Sequence, residues 1–330
     1  MTSPPLLMVA PMMAWTDRFC RRLHRCYSPN ARLYTEMVTT GALLHGPRER
    51  LLKFAPAELP LALQLGGCDP TELSACAAIA EQSGFSEVNL NIGCPSDRVQ
   101  NARIGACLMA EPELVARCCS AMRAACNLPV TVKCRLGIDD YDSDDFLFRF
   151  VDTVAEAGVT EFSLHARIAL LNGLSPAQNR SIPPLNYARV ARLKAHYPEL
   201  RIILNGGLDT AEGIIDALHT TGCDGVMIGR AAYHNPWLLA QLDHSFYCTP
   251  LPEHRLAPLA QYTDFIEEEL NQGTRLHSIT RHMLGIASGL AGARAYRRYL
   301  SDMANKPGAN IATLEHALGL LHIEPERAAC

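Results

Sequence analysis

A chain of 330 residues, 48% hydrophobic and 19% charged, has ample core for one large barrel or two domains and is not a disordered polymer. Its formal net charge of −4 excludes a uniformly basic nucleic-acid coat while leaving room for a local basic patch. Thirteen cysteines, odd in number and without a C-x-x-C pair, suit neither a disulfide framework nor zinc, so no metal is expected; they read as mostly inert thiols of a reducing cytoplasm.

The opening MTSPPLLMVAPMMAWTDR lacks a basic leading region and meets Asp17 and Arg18 early, which argues against a signal peptide. No apolar run reaches the 18 residues of a membrane span. Eight short apolar runs follow as candidate strands: LLMVAPMM (6–13), RLYTEMVTT (32–40), LALQLGG (61–67), EVNLNIG (87–93), PVTVKCRLG (129–137), EFSLHAR (161–167), RIILNGG (201–207) and GVMIGR (225–230). Helical patterns separate most of them. Asp69-Pro70 with Glu72 predicts a capped start, closed by Gly84; a second helix begins near Ser143 and ends at Gly158; Asp209 with Glu212 predicts a capping box, closed by Gly222. Eight such alternations predict a TIM (β/α)8 barrel over residues 1–243 more readily than an open sheet. Residues 244–254 read as a linker. Only helical patterns follow (LAPLAQYTDFIEEELNQG, SITRHMLGIASGLAGARAYRRYLSDMA and ATLEHALGLLH), which predicts a C-terminal all-helical domain over 244–330.

In such a barrel the chemistry lies at the C-terminal ends of the strands. The side chains found there form a dense polar set: Pro11-Met12-Met13, Glu36, Gln64, Asn89, Asn91, Cys94, Lys133, Arg135, His165, Arg167, Asn205-Gly206-Gly207 and Gly229-Arg230. Each alone has an ordinary explanation, a snorkelling lysine or a satisfied core histidine. Together they are hard to dismiss, because buried charges need partners. Cys94 stands between Gly93, which frees the backbone, and Pro95, which fixes it. It is either a small buried hydrophobe in a turn or a positioned thiol. NGG after the seventh strand and GR after the eighth occupy the places where TIM barrels bind phosphate through backbone N–H groups.

The stretches APMMAWTDRFCR, Gln64-Leu65-Gly66, NLNIGCPSDRVQNARIGACLM, TVKCRLGID, LHAR, NGG and GR, followed by HMLGIASGLAGARAYRRYL, resemble the tRNA dihydrouridine synthases over nearly the whole length. GLSPAQNRSIPPLNY (173–187) looks like their A-type branch, whose targets are D-loop uridines 20 and 20a. Ile168 and Ala177 stand where that branch usually carries lysines; Arg180 is kept. The resemblance implies an FMN-binding barrel (1–243) and a helical tRNA-binding domain (244–330), with NADPH recharging the flavin. It places Pro11, Met12 and Met13 against the flavin ring, and Gln64 and Lys133 at its edge. His165 would lie between flavin and substrate, and Asn205, Gly206, Gly207, Gly229 and Arg230 on the phosphate. Asn91 would meet the flipped uridine, since a stacked base cannot reach a flavin face.

Uracil's C5=C6 bond is conjugated to its C4 carbonyl, so hydride adds at C6 and C5 then needs a proton. A cysteine thiol, with a reference pKa near 8.5, is protonated at neutral pH and acidic enough to supply it. Cys94 is therefore the expected general acid, and Cys107 is taken as structural. Rival readings are a small-molecule FMN reductase of the dihydroorotate dehydrogenase type, a Schiff-base aldolase using Lys133, and a non-catalytic RNA-binding module. The tail separates them. Residues 271–310 carry six basic side chains against one acid, and Arg294, Arg297 and Arg298 share a helix face at i, i+3, i+4. That asymmetry favours an RNA contact through Arg294 and Arg297. No protein partner is expected.

Overall fold

The computed structural model describes residues 3–96, 100 and 102–323. Nine short parallel strands follow in chain order: β1 (Leu6–Val9), β2 (Leu33–Tyr34), β3 (Val38–Thr39), β4 (Leu61–Gly66), β5 (Glu87–Ile92), β6 (Val130–Arg135), β7 (Glu161–His165), β8 (Arg201–Asn205) and β9 (Gly225–Ile228). They are ordered β1-β9-β8-β7-β6-β5-β4-β2, with β3 also on β4. A parallel bridge between Met8 and Arg32 brings β1 to β2, and the cylinder closes. This is the expected TIM barrel, its eight strand positions matching the eight apolar runs. The run 32–40 is split in two. At the break the hydroxyl of Thr35 accepts the Gln64 N–H, a side chain taking over from the backbone ladder.

Helices lie between the strands where caps predict them. Asp69 accepts the N–H groups of Thr71 and Glu72 at the start of Pro70–Gln82, and Ser143 that of Phe146 at the start of Asp144–Glu156. For Ala211–Thr221 the cap is Thr210, not Asp209, because the Thr210 hydroxyl is the group that reaches the Gly213 N–H. Among the described residues no helix is long and apolar enough to cross a membrane.

The chain forms two compact units. One takes the residues up to Met13 together with Arg32–Gly229; the other takes Ala14–Ala31 together with the residues from Arg230 onward. The linker expected at 244–254 lies inside the second unit. That unit holds helices Arg18–Tyr27, Trp237–Tyr247, Leu259–Asn271, Ala293–Met303 and Ile311–Leu318. The long pattern at 278–304 is not one helix. A single turn Leu276–Thr280 and a 3₁₀ segment Met283–Ala287 precede Ala293–Met303. Gly292, at φ +84°, lies so close to the Leu320 carbonyl that a Cβ would stand 1.9 Å from it, and an unbroken helix could not make that approach.

At the N-terminal end of the barrel strands, Arg32 is paired with two buried carboxylates, Glu87 on β5 and Glu161 on β7. Burial raises the Glu87 carboxyl above the usual range, and the Arg32 charge opposes that shift. Removing the cation would strand Glu87 and leave Glu161 only the Arg201 guanidinium, 3.8 Å away. Arg32→Met is expected to lower stability by about 3–5 kcal/mol, read from the urea unfolding midpoint.

Candidate active site

Strand register sorts the inward polar residues into layers. Gln64, Asn89 and Thr131 stand side by side on β4, β5 and β6; Asn91 and Lys133 form the next layer; Arg135, His165 and Asn205 form the outermost. Asn89 is fully buried, and Gln64 and Thr131 nearly so. Side-chain hydrogen bonds tie them together. Gln64 Nε2 donates to Asn89 Oδ1 (2.8 Å), Asn89 Nδ2 to Thr131 Oγ1 (2.8 Å), and Thr131 Oγ1 to Glu87 Oε1 (2.6 Å).

Cys94 follows β5 and is half-buried. Asn91 Oδ1 accepts both the Gly93 N–H (3.1 Å) and the Cys94 N–H (3.0 Å), while Asn91 Nδ2 donates to Gln64 Oε1 (2.9 Å). Asn91, expected to meet substrate, thus has both side-chain heteroatoms engaged around the thiol. Arg135 stands at a strand end without a role in the sequence reading. Its buried guanidinium donates to the carbonyls of Gly93, Ile168 and Asn179, joining the Cys94 turn to the loop after β7. Burial lowers its pKa to about 10.

Lys133 Nζ donates to Asn205 Oδ1 (3.0 Å), and Asn205 Nδ2 to the Met227 carbonyl (2.6 Å). Enclosure of the amine, with Arg135 nearby, brings Lys133 down to about 8. Burial holds His165 well below its usual value, and the charges of Arg135, Lys133, Arg167 and Arg180 push it the same way. The imidazole is therefore neutral. Its Nδ1 is buried with no hydrogen-bond partner among the described residues. Among those residues no three His, Cys, Asp or Glu side chains gather as a metal would require.

After β8 the chain turns through Gly206 (φ +104°) and Gly207 (φ +70°), backbone angles that side chains oppose. The Tyr187 hydroxyl donates to the Gly206 carbonyl (2.6 Å), which helps hold the turn. At Gly229 a Cβ would meet Met12 Sδ at 3.8 Å and Ala10 Cβ at 3.9 Å, ordinary van der Waals distances. Pro11 and Met12 are half-buried, and Met13 is 62% exposed. Arg180 is exposed, at the end of the 3₁₀ turn Gln178–Arg180. In the helical unit, Arg230 is exposed and opens the short helix Arg230–His234. Arg294 and Arg297 are exposed on Ala293–Met303, where Arg297 Nε also donates to the Leu284 carbonyl (3.2 Å).

Sequence reading missed the structural parts of Asn89, Thr131, Arg135 and Tyr187. A signal for the first three was present. Polar residues alternate at 87, 89, 91 and at 131, 133, 135, a period of two on strands that are otherwise Val, Leu, Ile and Cys. Tyr187 carries no comparable signal.

A family model described as dihydrouridine synthase (Dus) matches residues 8–321. The chain is 52% identical over 320 residues to the tRNA-dihydrouridine(20/20a) synthase of Vibrio cholerae, covering 96% of this chain and 97% of that protein. It is 54% identical to the protein of the same name from Shewanella oneidensis (94% and 92% covered) and 52% identical to that of Escherichia coli K12 (95% and 90%). With a barrel whose mouth gathers Cys94, Lys133 and His165, and with relatives matching end to end, the chain belongs to the dihydrouridine synthase family.

Proposed function

We propose that this protein reduces uridine in tRNA to 5,6-dihydrouridine, acting on the D-loop positions 20 and 20a that its relatives' names carry, with FMN as cofactor and NADPH as electron source. A cytoplasmic location goes with that substrate. The observation that carries the reading is the barrel mouth itself. A thiol, an enclosed amine and a neutral imidazole with an unsatisfied nitrogen stand together, surrounded by arginines.

The residues fit a flavin. His165 Nδ1 lacks a partner that a flavin edge or a substrate carbonyl would supply. Lys133 offers a cation to a ring that becomes anionic on reduction. The Gly206–Gly207 turn and Gly229 carry no side chains of their own at the strand ends where a phosphate would meet backbone N–H groups, and Asn205 ties the end of β8 to β9. Arg230, next in the chain, is assigned to the same phosphate. Pro11, Met12 and Met13 are assigned to the ring face and Gln64 to its edge.

FMN, when bound, would supply the hydride for uracil C6. The protein supplies the proton. Cys94 holds it on Sγ and delivers it to C5 as charge develops on the O4 enolate. Asn91 and Arg135 hold the turn that carries this thiol, and the cations at the mouth favour the negative charge that forms. A small-molecule reductase would need the same barrel but not the exposed arginines of Ala293–Met303, so tRNA is the better substrate.

Cys94→Ala is expected to bind flavin and accept electrons from NADPH as wild type does, while uridine reduction slows by about 10²–10⁴-fold. A wild-type rate of dihydrouridine formation in this variant would remove the thiol from the mechanism.

Lys133 is charged below about pH 8 and neutral above it. FMN affinity of the flavin-free protein, followed by quenching of flavin fluorescence, is therefore expected to fall as pH rises through about 8. Lys133→Met should bind more weakly below about pH 8, approach the wild type above it, and lose that pH step.

Arg294→Ala with Arg297→Ala is expected to weaken tRNA binding. It should also flatten the slope of log affinity against log salt by a little under about one unit for each phosphate that the variant no longer engages. NADPH oxidation without tRNA should be unchanged. An unaltered slope would mean that this helix face is only solvated.

A further inference from the structure

The amide groups beneath Cys94 have a fixed direction, and its source lies at the opposite end of the barrel. Glu87 Oε1 receives the hydroxyls of both Thr131 and Tyr34 (2.8 Å), and its partner oxygen meets Arg32. Surrounded by donors, this carboxylate acts only as an acceptor. The Thr131 proton is therefore committed to Glu87, and the Thr131 oxygen can only accept from Asn89. Asn89 must then show its NH2 to Thr131 and its carbonyl to Gln64. Gln64 in turn shows its carbonyl to Asn91. Asn91 is left with its oxygen toward Gly93 and Cys94, the only orientation that accepts two backbone N–H groups. Reversing any one amide would set donor against donor somewhere along this line.

We infer that Thr131 and Glu87, buried and bonded to other side chains of the barrel, are positioning residues that orient the Asn89–Gln64–Asn91 relay and thereby hold Cys94. The relay also decides what Gln64 offers to the flavin edge, since one of its two N–H groups is spent on Asn89. The inference rests on Cys94 being the proton donor, but the alkylation readout of its test does not.

The test compares Thr131→Val, which keeps the shape and loses the hydroxyl, with Thr131→Ser, which keeps the hydroxyl. The readout is the rate of iodoacetamide alkylation of Cys94 in the full-length protein, followed by peptide mass spectrometry. The buried thiols Cys119 and Cys134 in the same molecule serve as internal standards. In Thr131→Val, Cys94 is expected to react about tenfold faster, the factor that corresponds to about 1.4 kcal/mol of weakened restraint. The standards should be unchanged, and Thr131→Ser should be close to wild type. With tRNA, kcat should fall about tenfold or more at unchanged KM, again restored by serine. Should the valine variant fail to fold, Thr131→Ala against Thr131→Ser differs by the hydroxyl alone and reads the same effect. Equal Cys94 rates in the variants with and without the hydroxyl would overturn the inference, as would a parallel rise in Cys119 and Cys134. Failure of the underlying reading would appear elsewhere, as undiminished uridine reduction by Cys94→Ala.

Discussion

Two carboxylates enclosed at one end of a barrel need a cation, and Arg32 is placed to be that cation by the same residue pairing that closes the barrel. Its backbone exchanges hydrogen bonds with β1, accepting from Val9 N–H and donating to the Leu7 carbonyl, while its side chain reaches Glu87 and Glu161 on two distant strands. Closure and neutralisation therefore stand or fall together. The cost of burying acids is severe enough that a barrel with a different register at this seam would be penalised for leaving them unpaired. In that sense the ion cluster specifies the register as well as tolerating it.

The two ends of the barrel treat charge differently. At one, Glu87 and Glu161 are matched by Arg32 and Arg201. The other carries Lys133, Arg135 and Arg167, with Arg180 close enough to act on His165. Arg135 meets three backbone carbonyls and no carboxylate among the described residues, so its charge is solvated by dipoles and not cancelled. A site built this way spends stability on positive charge held ready for an anion. The lowered Lys133 and His165 values are the visible cost: each group resists a proton that the fold makes expensive to keep.

Much of this was legible in the chain. The strands were readable because each is a short β-rich run bounded by turn residues, and most helix starts because Asp69 and Ser143 are strong caps. Misreadings arose where a side chain competed with the backbone. Thr35 interrupts the second strand position, Thr210 outcompetes Asp209 for a cap, and Gly292 ends a helical pattern by close packing against residues far along the chain. The site's members were visible as polar residues at strand ends. Their partnerships were not, because hydrogen-bond direction depends on register between strands, and register is a property of the closed barrel. Asn91 illustrates the limit. Its place at the strand end was evident, while its occupation by Gly93 and Cys94 could only be seen in three dimensions.

The helical unit is discontinuous. Helix Arg18–Tyr27, near the start of the chain, is held among elements from its last third: Arg18 to Glu269, Asp17 to Arg281 and His282, Tyr262 to the Phe19 carbonyl, and Tyr27 to that of Arg255. A terminal domain of this kind is not a detachable cassette. Exchange of the C-terminal third between related proteins would leave Asp17 and Arg18 facing residues they did not evolve with. Divergence of this unit must then proceed by correlated change at two places in the gene, one close to Met13 and the other beyond Arg230. A graft that respects the architecture would carry both segments.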